Sequence, residues 1–135
     1  MLFSCFYYPE EKDYIDKFKE FYSDNILTPD GYIIYFNTTK DSHITHFWRG
    51  GKGGDFKKQR AAKIGWIKEI LENDQSRVVK VNPNNVQQIF FICTENHKQY
   101  VIRCKNNKNN YLFCYTAYPI TTKQCQRYLK WDNFS

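Results

Sequence analysis

The apolar positions of this 135-residue chain switch between helical and strand periods along its length, and the changes mark out its elements. Between Pro9 and Tyr22 the residues Tyr14, Ile15, Phe18, Phe21 and Tyr22 recur at helical spacing, which predicts an amphipathic helix with a buried aromatic stripe. Pro9 suits a first turn, and Glu10, Glu11 and Asp13 favour the positive end of the helix dipole. The turn signal "TPDG" (Thr28 to Gly31) then leads into "YIIYFN", which reads as a strand. The glycine-rich stretch "GGKGG" (Gly50 to Gly54) is a loop, and Asp55 is an N-cap candidate for a second long helix, Phe56 to Glu72. At 100° per residue, Ile64, Trp66, Ile67, Ile70 and Leu71 share one broad arc of that helix. Trp66 is read as core. Arg60 projects onto the same arc, so it either snorkels at the rim or points into a site.

The second half alternates with the period of strands. "VVKV" (Val78 to Val81), "VQQIFFIC" (Val86 to Cys93), "QYVIRCK" (Gln99 to Lys105) and "YLFCYTAY" (Tyr111 to Tyr118) are separated by "NPNN", "TENHK" and "NNKNN". The last of these is a strong turn because Asn tolerates left-handed backbone. The near-continuous "VQQIFFIC" is expected to be central. Pro119 is expected to end the last strand, and "TTKQCQRYLKW" to form a short basic helix. Helices followed by a meander predict an α+β fold, with N-terminal helices packed on a four- to five-stranded antiparallel sheet in a single domain. In "YLFCYTAY", Tyr111, Phe113, Tyr115 and Ala117 are expected to face the helices. Leu112, Cys114, Thr116 and Tyr118 then share the opposite face.

Charge sharpens this picture. Lys and Arg number 20 against 14 Asp and Glu, a net charge of +6, and the pI is near 9.0. That balance favours an anionic partner, with nucleic acid ahead of membrane. The five cysteines (Cys5, Cys93, Cys104, Cys114, Cys125) are odd in number, with no CxxC spacing, and three lie in strand-like apolar runs. A reduced, cytoplasmic setting is expected, without a disulfide scaffold or a structural zinc site. "MLFSCFYYPE" is too short and aromatic for a signal peptide, and no apolar run has the length of a membrane span.

The candidate chemistry gathers around "HITHFWRGGKGG". His43 and His46, one helical turn or two strand steps apart, precede Arg49 and the glycine loop. Together they look like half of a site for an anionic ligand. His46 is expected in a loop.

These residues also carry a resemblance. "HFWRG", then "RAAKIGWIKEILEN", then a strand meander ending in "YLFCYTAYPI" resemble the phage-associated branch of the barnase–EndoU–colicin–RelE-like (BECR) nucleases, over Tyr32 to Lys130. Glu69 departs from the family's helix motif, which often has Pro there. Residues 1–27 lie outside the match as an N-terminal helical extension.

The resemblance implies a toxin-like endoribonuclease that cleaves RNA without metal or cofactor. The RNA's own 2′-hydroxyl attacks, leaving 2′,3′-cyclic phosphate ends. It implies His46 as general acid–base, Arg49 and Arg60 on the scissile phosphate, and Thr116 and Tyr118 orienting that phosphate or its ribose. Lys68 is read as an RNA-backbone contact, with Lys52 of the glycine loop and His43 as further substrate-binding residues. The implied partners are RNA (tRNA or mRNA) and an antitoxin or immunity protein, with no membrane. A non-catalytic nucleic-acid-binding module on the same fold is the alternative. An interaction protein of a phage or toxin system ranks third, because it would suit an acidic surface better.

Overall fold

The computed structural model describes residues 4–49, 54–73, 77–81, 88–95 and 99–131. Among them run α1 (Glu11–Tyr22), β1 (Ile26–Leu27), β2 (Ile33–Tyr35), α2 (Asp41–Arg49), the single turn α3 (Lys58–Ala61), α4 (Ile64–Glu72), β3 (Arg77–Val81), β4 (Gln88–Cys93), β5 (Tyr100–Lys108), β6 (Tyr111–Pro119) and α5 (Thr122–Trp131). The fold is α+β. The strands form one sheet in the order β1-β2-β6-β5-β4-β3.

The sheet is mixed, a correction to the expected antiparallel meander. β3 to β6 pair antiparallel in sequence order, but β2 lies parallel to β6, with Ile33 to Tyr35 opposite Tyr111 to Phe113. A parallel neighbour needs a long crossover. Everything from α2 to β5 supplies it here, so nothing local in "YIIYFN" could announce the pairing. The "TPDG" turn joins β1 to β2. Gly31 sits at φ +92° and donates its N–H to the Thr28 carbonyl at 3.0 Å, a backbone shape that favours glycine. Asn109, at φ 54°, makes the β5–β6 turn as expected of an Asn-rich stretch. β5 runs on to Lys108, so that turn is tighter than "NNKNN" suggests.

Alternation along the strands places a core on each face of the sheet. Ile89, Phe91, Ile102, Cys104, Leu112 and Cys114 meet Tyr14, Phe18, Tyr22, Trp48, Ile67 and Ile70 of α1, α2 and α4. On the other face Phe90, Ile92 and Val101 meet Ile120 and Cys125, with Tyr118, Tyr128 and Leu129 packed against them. β4 is buried on both faces, which explains its unbroken apolar run. Cys93, Cys104, Cys114 and Cys125 are buried, and Cys5 is exposed. Among the described residues no helix is long and apolar enough to cross a membrane.

The helix expected over Phe56 to Glu72 is broken at Ala62–Lys63. Lys57, not Asp55, stands at the start of α3, without a side-chain cap. The cause of the break is tertiary. Phe6 N–H donates to the Ala62 carbonyl at 2.9 Å, taking the acceptor that Trp66 N–H would use in a continuous helix, and Trp66 N–H turns to the Lys63 carbonyl. Gly65 makes room for this docking, because a Cβ there would stand 2.8 Å from the Phe6 ring.

Candidate active site around strand β6

β6 is the element on which the candidate residues converge. β2 covers its outer edge only as far as Phe113. Beyond that point α2 packs against the strand, and α3 packs against α2. α2 is amphipathic: Ile44, Phe47 and Trp48 are buried, and His43 and His46 lie on the exposed side. His46 therefore stands on a helix, not in the expected loop. The apolar triplet at i, i+3 and i+4 folds this stretch against the core and leaves the i, i+3 histidine pair on one outward face.

That face looks into a cavity of about 260 Å³ where β2 leaves β6. His43, His46 and Ser42 line it from α2, Phe113, Cys114 and Tyr115 from β6. Burial pushes the Cys114 thiol up, and its neighbour Cys104 adds to the shift, so the sulfur stays protonated beneath the histidines.

The side chains of β6 do not keep the expected faces. Arg103 pairs with Thr116 but Cys104 pairs with Cys114, so Tyr115 is an extra residue, a β-bulge. Before the bulge, Leu112 and Cys114 enter the helix-side core and Phe113 turns outward. After it, Ala117 enters that core and Tyr118 packs on the α5 side. The expected assignment of Phe113 and Tyr115 to the helix face is thus reversed, while those of Ala117 and Tyr118 hold. The bulge aligns Phe113, Tyr115 and Tyr118 on the sheet face opposite α1, α2 and α4. Thr116 is buried, at 8% exposure.

Cations occupy this outer face. The Arg103 guanidinium lies 4.7 Å from the Phe90 ring centre and 5.6 Å from that of Tyr115, and donates to Tyr118 Oη at 3.3 Å. Its Nε is buried and has no hydrogen-bond partner among the described residues. Burial works against its charge, but the Tyr118 hydrogen bond and the neighbouring phenols hold its pKa raised. Lys105 Nζ lies 4.9 Å over the Tyr115 ring. Arg60 reaches the far end of the strand, with its guanidinium 5.4 Å from the Tyr118 ring centre and its Nε also buried, without a partner among the described residues. Tyr118 and Tyr128 hydroxyls meet at 3.2 Å. Burial, then this contact, pushes Tyr128 up to about 12.

Strand rise puts the His46 end, at Tyr115, and the Arg60 end, at Tyr118, about 10 Å apart. Tyr115, Arg103 and Tyr118 connect them in a continuous run of contacts. Arg103, Lys105 and Tyr115 were missed from the sequence. The one available signal was that Arg103 falls among the apolar residues of "YVIRCK" without any need to be there.

Arg49 lies elsewhere. Its Nε donates to Glu11 Oε2 at 2.7 Å, its Nη2 to Glu11 Oε1, and its Nη1 to the Gly54 carbonyl at 3.3 Å. Glu11 Oε2 also accepts from the Trp48 indole at 2.8 Å. The Arg49 hydrogen bonds hold the Glu11 carboxyl below its ordinary range. The fork expected on a phosphate is filled by a carboxylate of α1. Lys68 lines a second cavity with Phe6, Phe21 and Glu72, and the structure does not bring it to the histidines. Lys52 lies outside the described residues.

The chain matches no family model, no curated protein and no solved structure.

Proposed function

We propose that the protein is a ribonuclease that cleaves RNA by attack of the 2′-hydroxyl on the adjacent phosphate. The observation that carries this reading is the facing of two histidines across a cavity from β6, whose Tyr115 ring lies under Arg103 and Lys105 of the neighbouring strand β5. In-line attack needs a proton removed at the 2′-oxygen and one delivered to the departing 5′-oxygen. His43 and His46, one helical turn apart and lining the same cavity, supply two such groups. The phosphorane gathers negative charge, which preorganised guanidinium and ammonium groups stabilise best where water is scarce. Arg103, pinned between two rings, meets that description more closely than Arg49, whose fork is engaged by Glu11. Arg60, with Tyr118, stands three residues further along the strand, placed for a neighbouring phosphate or ribose. Arg49 then acts indirectly, anchoring α2 and its histidines to α1. The resemblance to BECR nucleases points to the same reaction.

This cationic surface would repel a hard divalent ion and can act on the phosphate directly. Incubation with total RNA in EDTA, followed by mapping of the new ends, tests the reading. Cleavage should persist, leave 2′,3′-cyclic phosphates, and spare both DNA and 2′-O-methylated RNA. Activity that vanishes in EDTA and returns with Mg²⁺, or efficient cutting of DNA, overturns it. Tight RNA binding with no cleavage under any condition would favour the non-catalytic module instead.

A further inference from the structure

On the outer face of the sheet, Tyr35, Phe113 and Tyr115 belong to neither core. All three are partly exposed. Register places them on one face: Tyr35 is opposite Phe113, and Phe113 opposite Lys105. The Tyr35 and Phe113 rings lie 5.4 Å apart, tilted by 33°. Both phenol tips are tied down. Asn107 donates to Tyr35 Oη at 2.8 Å, and Tyr115 Oη donates to Gln88 at 2.7 Å. In the next row of the same face, Leu27 is 66% and Tyr111 47% exposed. α5 packs on the other half of this face, and among the described residues no helix layers this half. Exposed rings held by amides at their tips are rigid faces already prepared for a flat ligand.

From this we infer that the Tyr35–Phe113 pair is a stacking platform for an unpaired RNA strand. The bases lie on the rings, Lys105 and Arg103 take the backbone, and the strand is led to the His43–His46 cavity that Phe113 and Tyr115 also line. The inference rests on the ribonuclease reading for the identity of the polymer, but its chemistry is separate from catalysis. The occupant is argued from the mixture of groups. Rings alone would suit a protein surface, and cations alone would suit any polyanion. Rings interleaved with the exposed Lys105 and the half-buried Arg103, on a protein of net charge +6, match unpaired bases on a phosphate chain. A duplex hides its base faces in its own stack, so the platform selects single strands.

The test uses a 2′-O-methyl oligonucleotide, which cannot be cut by 2′-hydroxyl attack. It is offered single-stranded and as a hairpin, with binding read by fluorescence anisotropy and cleavage read in parallel on ordinary RNA. The wild type should prefer the single strand. A double variant, Tyr35→Leu with Phe113→Leu, should lose at least about tenfold in single-strand affinity, the order expected for one lost base–ring stack, and little in hairpin affinity. Both positions lie outside the cores, so its thermal melt should stay close to wild type. Should it not fold, Lys105→Glu on the exposed edge gives the second arm, weakening single-strand binding and lowering the slope of log affinity against log salt by about 1 or more. Equal affinity for strand and hairpin, or variants that bind like wild type, overturns the platform while leaving any observed cleavage standing. Selective single-strand binding lost in the variants, with no cleavage of ordinary RNA, upholds the platform and removes the ribonuclease. Self-association that depends on Tyr35 and Phe113, with no RNA binding, assigns the face to a second copy of the chain.

Discussion

The two faces of the sheet are built from the same kinds of residue and use them in opposite ways. On the helix side, Phe18 packs against Tyr22, Phe36, Phe47 and Trp48 at ring separations of 4.6 to 6.3 Å, and the arginine at its border, Arg49, is paired with a carboxylate. On the outer face, Tyr35, Phe113 and Tyr115 keep part of their surface in solvent, and Arg60 and Arg103 lie over tyrosine and phenylalanine rings. A guanidinium on a ring retains its full charge toward a third party, whereas one forked onto a carboxylate has spent its directional donors. The high aromatic content of the chain therefore divides into a part that holds the fold and a part that faces solvent.

The largest effect should come from the helix side. Phe18→Ala removes a fully buried ring at the centre of the aromatic core and should cost about 3–5 kcal/mol, measurable by urea unfolding. Phe113→Ala should cost far less. If the two variants are equally destabilised, the outer face is a core and the contrast fails.

His46→Ala should leave the melt unchanged, since the side chain is exposed, and lower cleavage by about 10²–10⁴. Near-full activity would move the proton-transfer role to His43 alone. Arg60→Lys and Arg103→Lys should each lower kcat/KM by roughly tenfold to a hundredfold, the worth of one or two hydrogen bonds to a charged group, because a point charge does not replace a planar fork. Arg49→Lys should instead act mainly on stability. A reversal of that order would return the phosphate-binding role to Arg49.

The smallest effect concerns the paired arginine. Glu11→Gln should cost about 1 kcal/mol or less, because the pair is partly exposed. The Glu11 carboxyl titrates lower in the folded chain than in the unfolded one. Its contribution is thus complete above the ordinary carboxylate range and fades as pH falls through and below it. The difference in stability between wild type and Glu11→Gln should shrink on acidification, and a difference that grows would contradict the pairing.

Much of this architecture was legible in local pattern. The stripe of α1, the central burial of β4, the Asn-rich turn and the terminal helix follow from spacing and turn chemistry, which depend on near neighbours in sequence. His43 and His46 were legible as a pair for the same reason: three residues apart, they share a face once the segment becomes a helix. Four features were not legible, because each is set by an atom distant in the chain. The break before Ile64 exists because Phe6 takes the Ala62 carbonyl, and it frees Arg60 from the apolar stripe of α4 to reach Tyr118. The parallel pairing of β2 with β6 joins segments separated by most of the fold. The pairing of Arg49 with Glu11 crosses from α2 to α1. The bulge at Tyr115 is a matter of register between two strands, invisible in either alone, and one extra residue inverts every side chain beyond it. Sequence alone thus determined which segments fold and which carry charge and rings. Tertiary structure decided which of those rings and charges are buried or paired with each other and which are turned outward toward solvent, since that choice depends on partners no local pattern contains.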